Sequence, residues 1–127
     1  MTAAKLKAKE TANQLTRHCL AVLSSSGFNV WRQNNAAVYD AKKQIYRSNS
    51  STKGIPDIIG YHRKTAVFIG VEIKAGKDRI SVEQKQFMHE LDKSGGWNFI
   101  IRSNDDIVLM ADIFKRPQLI TNDNTTK

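Results

Sequence analysis

Apolar residues at positions 8, 12, 15, 19, 22 and 23 (Ala8, Ala12, Leu15, Cys19, Val22, Leu23) recur at helical spacing. The stripe predicts an amphipathic helix over residues 4–24, stopped by Ser24-Ser25-Ser26-Gly27. FNVWRQ, residues 28–33, alternates and predicts a short strand. Residues 34–53 are polar, with Asn34-Asn35 and a serine-rich stretch at 48–52, and read as a hairpin or mobile loop with a candidate strand around Val38–Tyr46. Gly54 and Pro56 punctuate the start of a strand, IPDIIGY. The strongest strand signal runs from Thr65 to Ala75, where Val67, Ile69, Val71, Ile73 and Ala75 form one apolar face. The opposite face begins apolar and ends in Glu72 and Lys74, as expected of a central strand that delivers charges at its end. Ser81 opens a second helix with Gln84 at capping-box spacing, and Val82, Phe87, Met88 and Leu91 supply its apolar contacts. Gly95-Gly96 ends it and leads into the strand WNFIIRS, and Asn104 or Asp105 caps a last helix to about Phe114. The pattern is that of a mixed α/β domain, about αβββαβα, with residues 1–116 as a single unit and 117–127 as a polar tail.

Composition changes this picture only through charge. The chain has 127 residues, 40% hydrophobic and 25% charged, enough for one self-supporting core. Its net charge is +8, and the excess is one-sided: residues 1–64 carry 11 basic and 3 acidic residues, residues 65–127 nine of each. An uneven basic excess favours a polyanionic partner such as DNA. The single cysteine, Cys19, excludes an internal disulfide and reads as a small core residue in a reducing, cytoplasmic setting. No run approaches the roughly 18 apolar residues of a membrane span, and the N-terminal lysines precede no apolar signal region. A glycine-rich phosphate loop is missing, so no nucleotide cofactor is expected, and His18, His62 and His89 lack the spacing of a zinc site.

The chemistry concentrates in residues 54–74. Phosphodiester hydrolysis requires neutralised negative charge and an activated water, which a divalent ion held by converging carboxylates provides. Glu72 and Lys74 are two apart and share a strand face. If the strand after Pro56 pairs with theirs, Asp57 lies beside Glu72, and Lys74 reaches the attacking water or the scissile phosphate. Spacing alone fits equally a surface Glu–Lys pair and a turn aspartate. The flanking Ile55, Ile58, Ile59, Val71 and Ile73 favour a site, because charges set among core strands are costly unless paired or metal-bound.

Together G-I-P-D-I-I-G, F-I-G-V-E-I-K-A-G-K, Q-K-Q-F and the following G-G, over roughly residues 10–110, resemble the VRR-NUC branch of the PD-(D/E)xK nucleases. The resemblance implies a restriction-endonuclease-like core, a central mixed sheet flanked by helices. It implies Asp57, Glu72 and the carbonyl of Ile73 as ligands of Mg²⁺ or Mn²⁺, Lys74 as the residue positioning water, and Gln84 as a supporting polar residue. A capping box with Ser81 would engage the same Gln84. The family pattern often adds a glutamate on the first helix. Glu10, the one acid there, lies by phase opposite the apolar stripe, and the matching position falls near Ala12 or Asn13. Stand-alone, phage-like relatives tend to be homodimers acting on branched, Holliday-junction-like DNA.

Arg32, Lys53, Lys77 and Arg79 lie near the site-bearing segments, Lys42, Lys43 and Arg47 form a candidate basic arm, and Asn34 and Asn35 resemble polar residues placed there in the family. These are the candidate DNA contacts. The expected function is a metal-dependent endodeoxyribonuclease. The rivals are a DNA-binding module on a nuclease-like fold that does not cleave, and a domain whose basic half docks an acidic protein.

Overall fold

The structure is a computed structural model, which describes residues 11–33, 38–47 and 52–116. Its elements are α1 (Ala12–Ser25), β1 (Phe28–Arg32), β2 (Val38–Asp40), β3 (Ile45–Arg47), β4 (Ile58–His62), β5 (Phe68–Ile73), α2 (Val82–Lys93), β6 (Trp97–Ile101) and α3 (Asn104–Phe114). β1, β4, β5 and β6 form one mixed sheet in the order β1-β4-β5-β6, antiparallel except for the parallel pair β5–β6 that α2 connects. β2 and β3 form a separate antiparallel hairpin, as the hairpin reading of this polar stretch expects, with two short strands in place of a single one over Val38–Tyr46.

Strand alternation divides the sheet's side chains between two faces. On one face Phe28, Ile58, Ile69, Val71, Ile73 and Ile101 meet Leu15, Cys19 and Leu23 of α1 and Ile107, Met110 and Phe114 of α3, and all twelve are buried. Phe114 stacks on Trp97, ring centroids 5.5 Å apart and 14° from parallel. Each fully buried large side chain in such a layer stabilises the fold by about 1.5–3 kcal/mol. Cys19 lies within it, and burial pushes its thiol up to about 12, as a packing residue requires. Among the described residues, the other face is only half covered. α2 lies over the β5–β6 side, with Leu91 against Gly70 and Gly96 and the Asn98 Nδ2 donating to the Met88 carbonyl at 2.8 Å.

Three boundaries and one packing contact differ from the sequence pattern. α1 begins at Ala12, where Thr11 is extended and caps it, its hydroxyl accepting from Gln14 N while Gln14 Oε1 accepts from Thr11 N; residues 4–10 of the expected helix lie outside the described residues. The strand expected from Thr65 begins at Phe68, because the Lys64 and Thr65 amides both donate to His62 Nδ1 and Ala66 takes a left-handed φ of 63°. His62 is therefore a buried turn-stabilising residue, its pKa lowered by desolvation and then by the Lys64 charge, which keeps Nδ1 free to accept. Ser103, not Asn104 or Asp105, is the N-cap of α3, and the Asp106 carboxylate accepts from Arg102 N at 2.8 Å. Val82 is 66% exposed and packs no core, since it lies on the outward side of the first turn of α2.

Candidate active site

The half-covered face holds the charged residues. Ile58 pairs with Val71, which sets Asp57 across from Glu72. On the other side Arg32 pairs with Ile58, and the Gln33 amide donates to the Asp57 carbonyl at 2.7 Å. Gln33, Asp57 and Glu72 thus form one row across three strands, on the face away from the main core. Asp57 stands one residue before β4, where Pro56 ends regular pairing and packs on Gly70.

Each carboxylate has a defined support. Asp57 Oδ2 accepts from the Ile73 amide at 2.8 Å, which lays the side chain across the last peptide of β5. Glu72 is 4% exposed, and its Oε2 accepts from Gln84 Nε2 at 2.7 Å. Gln84 cannot be turned the other way, because its Oε1 accepts from Ser81 N at 2.8 Å and closes the capping box of α2. One glutamine therefore starts the helix and holds the carboxylate. Gly54 makes this approach possible: its φ is +78°, and a Cβ there would overlap the Glu83 carbonyl in the first turn of α2.

Glu72 Oε1 is buried and accepts no hydrogen bond. Burial raises the Glu72 pKa to about 8, the Asp57 charge and a hydrogen bond to its side chain add to the rise, and the Lys74 charge and the Asp57 amide oppose it. Two carboxylates near enough to share a proton, one with an orphaned oxygen, match the hard oxygen donors a divalent cation prefers. Among the described residues, no group of three or more His, Cys, Asp or Glu gathers as a metal site, and Asp57 and Glu72 are the two acids of the row. Lys74 follows Glu72 by two on the same face, is half-buried, and anchors its backbone by donating to the Ile101 carbonyl at 2.9 Å.

The basic residues divide differently from expectation. Arg32 projects to the opposite face, where its Nη2 donates to Asn13 Oδ1 of α1 at 2.9 Å, so alternation along β1 brings Gln33 to the carboxylate row instead. Lys53 is exposed beside Gly54. Lys77 and Arg79 are exposed after β5, on a turn that Arg102 Nη1 fixes by donating to the Gly76 and Asp78 carbonyls at 3.1 and 2.7 Å. Lys42 and Lys43 lie in the β2–β3 turn, their amides on Asp40 Oδ1. Asn34, Asn35 and Glu10 fall outside the described residues. Gln33 was the residue that sequence reasoning passed over. Its signal was available in the alternation of FNVWRQ, once that strand is paired with the one bearing Asp57.

The VRR-NUC domain model matches residues 9–105, a span that takes in α1, the whole sheet and α2. The chain belongs to the VRR-NUC domain family. No curated protein and no solved structure matches it. VRR-NUC domains have a PD-(D/E)xK-like nuclease fold, and the mixed sheet with Asp57 and Glu72 in one row is this chain's version of it. Membership implies a nuclease-type role in DNA processing, with DNA as the partner. Among the described residues no helix is long and apolar enough to cross a membrane.

Proposed function

We propose that this VRR-NUC domain is a Mg²⁺- or Mn²⁺-dependent endonuclease whose site is Asp57, Glu72, Lys74 and Gln84, with the Ile73 carbonyl as a further oxygen ligand. The observation that carries the reading is the buried Glu72 carboxylate beside Asp57, whose Oε1 has no hydrogen-bond partner. A carboxylate kept in that state costs stability unless a cation completes it. A divalent ion, when bound, supplies charge neutralisation at the phosphate and a more acidic water. Asp57 and Glu72 hold it. Gln84 fixes Glu72 by donating to Oε2, which leaves Oε1 free to ligate. Lys74, on the same strand face, orients the attacking water and opposes charge developing on the phosphate. Lys53 and Lys77, exposed on the flanking turns, are proposed phosphate contacts. Residues 1–116 are proposed as a single nuclease unit. One carboxylate site per chain also supports a homodimer when two strands of branched DNA are cut symmetrically.

The test is cleavage of a labelled four-way junction and a matched linear duplex with Mg²⁺, Mn²⁺ or EDTA, alongside Asp57→Ala and Lys74→Ala. Metal-dependent cutting that both variants lose is expected, with the junction cut faster. Salt-sensitive binding without cutting by the unaltered chain would favour a DNA-binding module instead. A second expectation concerns Gln84. Gln84→Ala should weaken Mn²⁺ binding about 10- to 100-fold by freeing a ligand's support, and cost about 1 kcal/mol from the lost cap. Gln84→Glu keeps the capping acceptor and loses the donor, so in Mn²⁺ titration and thermal denaturation it should separate the two effects. Equal Mn²⁺ affinity in all three proteins would remove Gln84 from the site.

A further inference from the structure

The half of the sheet face that α2 leaves uncovered is aromatic. Trp31 is 46% exposed, Tyr61 38% and Phe68 36%. Asn29 pairs with Tyr61, Trp31 with Ile59 and Tyr61 with Phe68, so all three rings share the face of Asp57 and Glu72. They are held in place: Trp31 and Tyr61 meet edge to face, centroids 6.5 Å apart, and the Tyr61 hydroxyl accepts from Asn29 Nδ2 at 3.0 Å. Trp31 lies one pleat repeat, about 7 Å along the strands, from the carboxylate row. That distance is about two stacked nucleotides of one DNA strand.

Charge around the strip selects its occupant. Within residues 28–33 and 52–74 the acids are Asp57 and Glu72 alone, while Lys53, Arg63, Lys64 and Lys74 are basic, Arg32 being turned to the other face. Lys53 is exposed at the Asp57 end, and Arg63 and Lys64 at the far end, in the turn after β4. A second copy docked symmetrically on this face would bring these cations towards their own counterparts. A polyanion whose bases have flat faces fits both features at once, since stacking satisfies the rings and phosphates satisfy the lysines.

We infer that Trp31, backed by Tyr61, is a stacking platform for unpaired bases of the DNA strand that enters the Asp57–Glu72 site. The substrate class is accordingly DNA with single-stranded character next to the scissile phosphate. This rests on the nuclease reading for its biological sense, but the binding itself requires no cleavage.

The experiment is binding of a short single-stranded oligothymidylate and of a blunt duplex of equal length, in EDTA, by fluorescence anisotropy and by tryptophan quenching. The chain has two tryptophans, and Trp97 is half-buried against Phe114, so the exposed Trp31 should carry the quench. Trp31→Ala should bind the single strand about 10- to 100-fold more weakly, with duplex affinity little changed. Trp31→Phe should keep most of the affinity and lose the quench. Unchanged single-strand affinity in Trp31→Ala, or an equal loss on both DNAs, would overturn the inference. So would a sedimentation shift showing that Trp31→Ala dissociates a dimer of the unaltered chain. Stacking without any metal-dependent cutting would uphold the platform and remove the nuclease reading alone.

Discussion

Replacing Glu72 by glutamine is expected to abolish cleavage and, in EDTA, to make the protein more stable. The loss of activity follows from the proposed site, in which Glu72 is one of two acidic metal ligands. Metal stabilisation of the reacting phosphate is worth several kcal/mol, so kcat/KM should fall about 10³-fold or more. The gain in stability follows from the cost of the native charge. Glu72 titrates near 4.5 when solvated and near 8 in the fold, chiefly because it is buried. The folded state therefore holds a proton that the unfolded state has released. Its stabilising contribution is fully present below pH 4.5 and is lost as pH rises through about 8. Glutamine keeps the shape and an acceptor for Gln84 Nε2 and carries no such loss. The difference between the two proteins should grow over that window to the order of a few kcal/mol at pH 9. Adding Mn²⁺ should reverse the order, because an ion that binds only the native glutamate form stabilises it by mass action. Thermal denaturation across pH, with and without Mn²⁺, measures all of this. Parallel pH profiles for the two proteins would remove the buried-charge argument.

Gly54→Ala is the second large effect. Gly54 has φ +78°, and its Cβ would overlap the Glu83 carbonyl and come within 2.9 Å of Gln84 N. Left-handed backbone costs alanine about 1–2 kcal/mol, and a clash with backbone cannot be relieved by a rotamer change, adding about 1–3 kcal/mol. The expected loss is about 2–5 kcal/mol. Gly76→Ala is the control: its φ is +73°, and a Cβ there meets nothing within 4 Å. It should show the strain without the clash, about 1–2 kcal/mol. Because Gly54 joins the Asp57 segment to the helix that carries Gln84, its substitution should also weaken Mn²⁺ binding, whereas Gly76→Ala should leave it close to normal. Urea denaturation and Mn²⁺ titration of the two variants decide this. Equal stability losses would mean that the close approach to α2 does not matter.

Local signals proved legible where the chain acts on itself. Ser81 and Gln84 stand at capping-box spacing, and the box forms. Asp57 falls beside Glu72 because two apolar strands joined by a short turn pair antiparallel. The same Thr11–Gln14 signature is present in the sequence and marks the cap of α1, although the apolar stripe runs on to Ala8 without a break there. Periodicity likewise overran at Val67, where His62 captures two amides and turns the chain before β5. What sequence could not assign was the face on which a strand residue lies. Arg32 and Gln33 are neighbours, and only the register of β1 on β4 sends one to Asn13 and the other to the carboxylates. The shared face of Trp31 and Tyr61 follows from the same register. Their exposure depends on how far α2 reaches across the sheet, which no local pattern encodes.

The most direct measurement is a crystal soaked in Mn²⁺ and examined by anomalous scattering. The expected result is a manganese peak at coordinating distance from both Asp57 and Glu72 Oε1, missing in Asp57→Ala. No peak there, with the Lys74 ammonium lying between the two carboxylates, would contradict the account, because the buried acids would then be an internal ion pair and not a metal site.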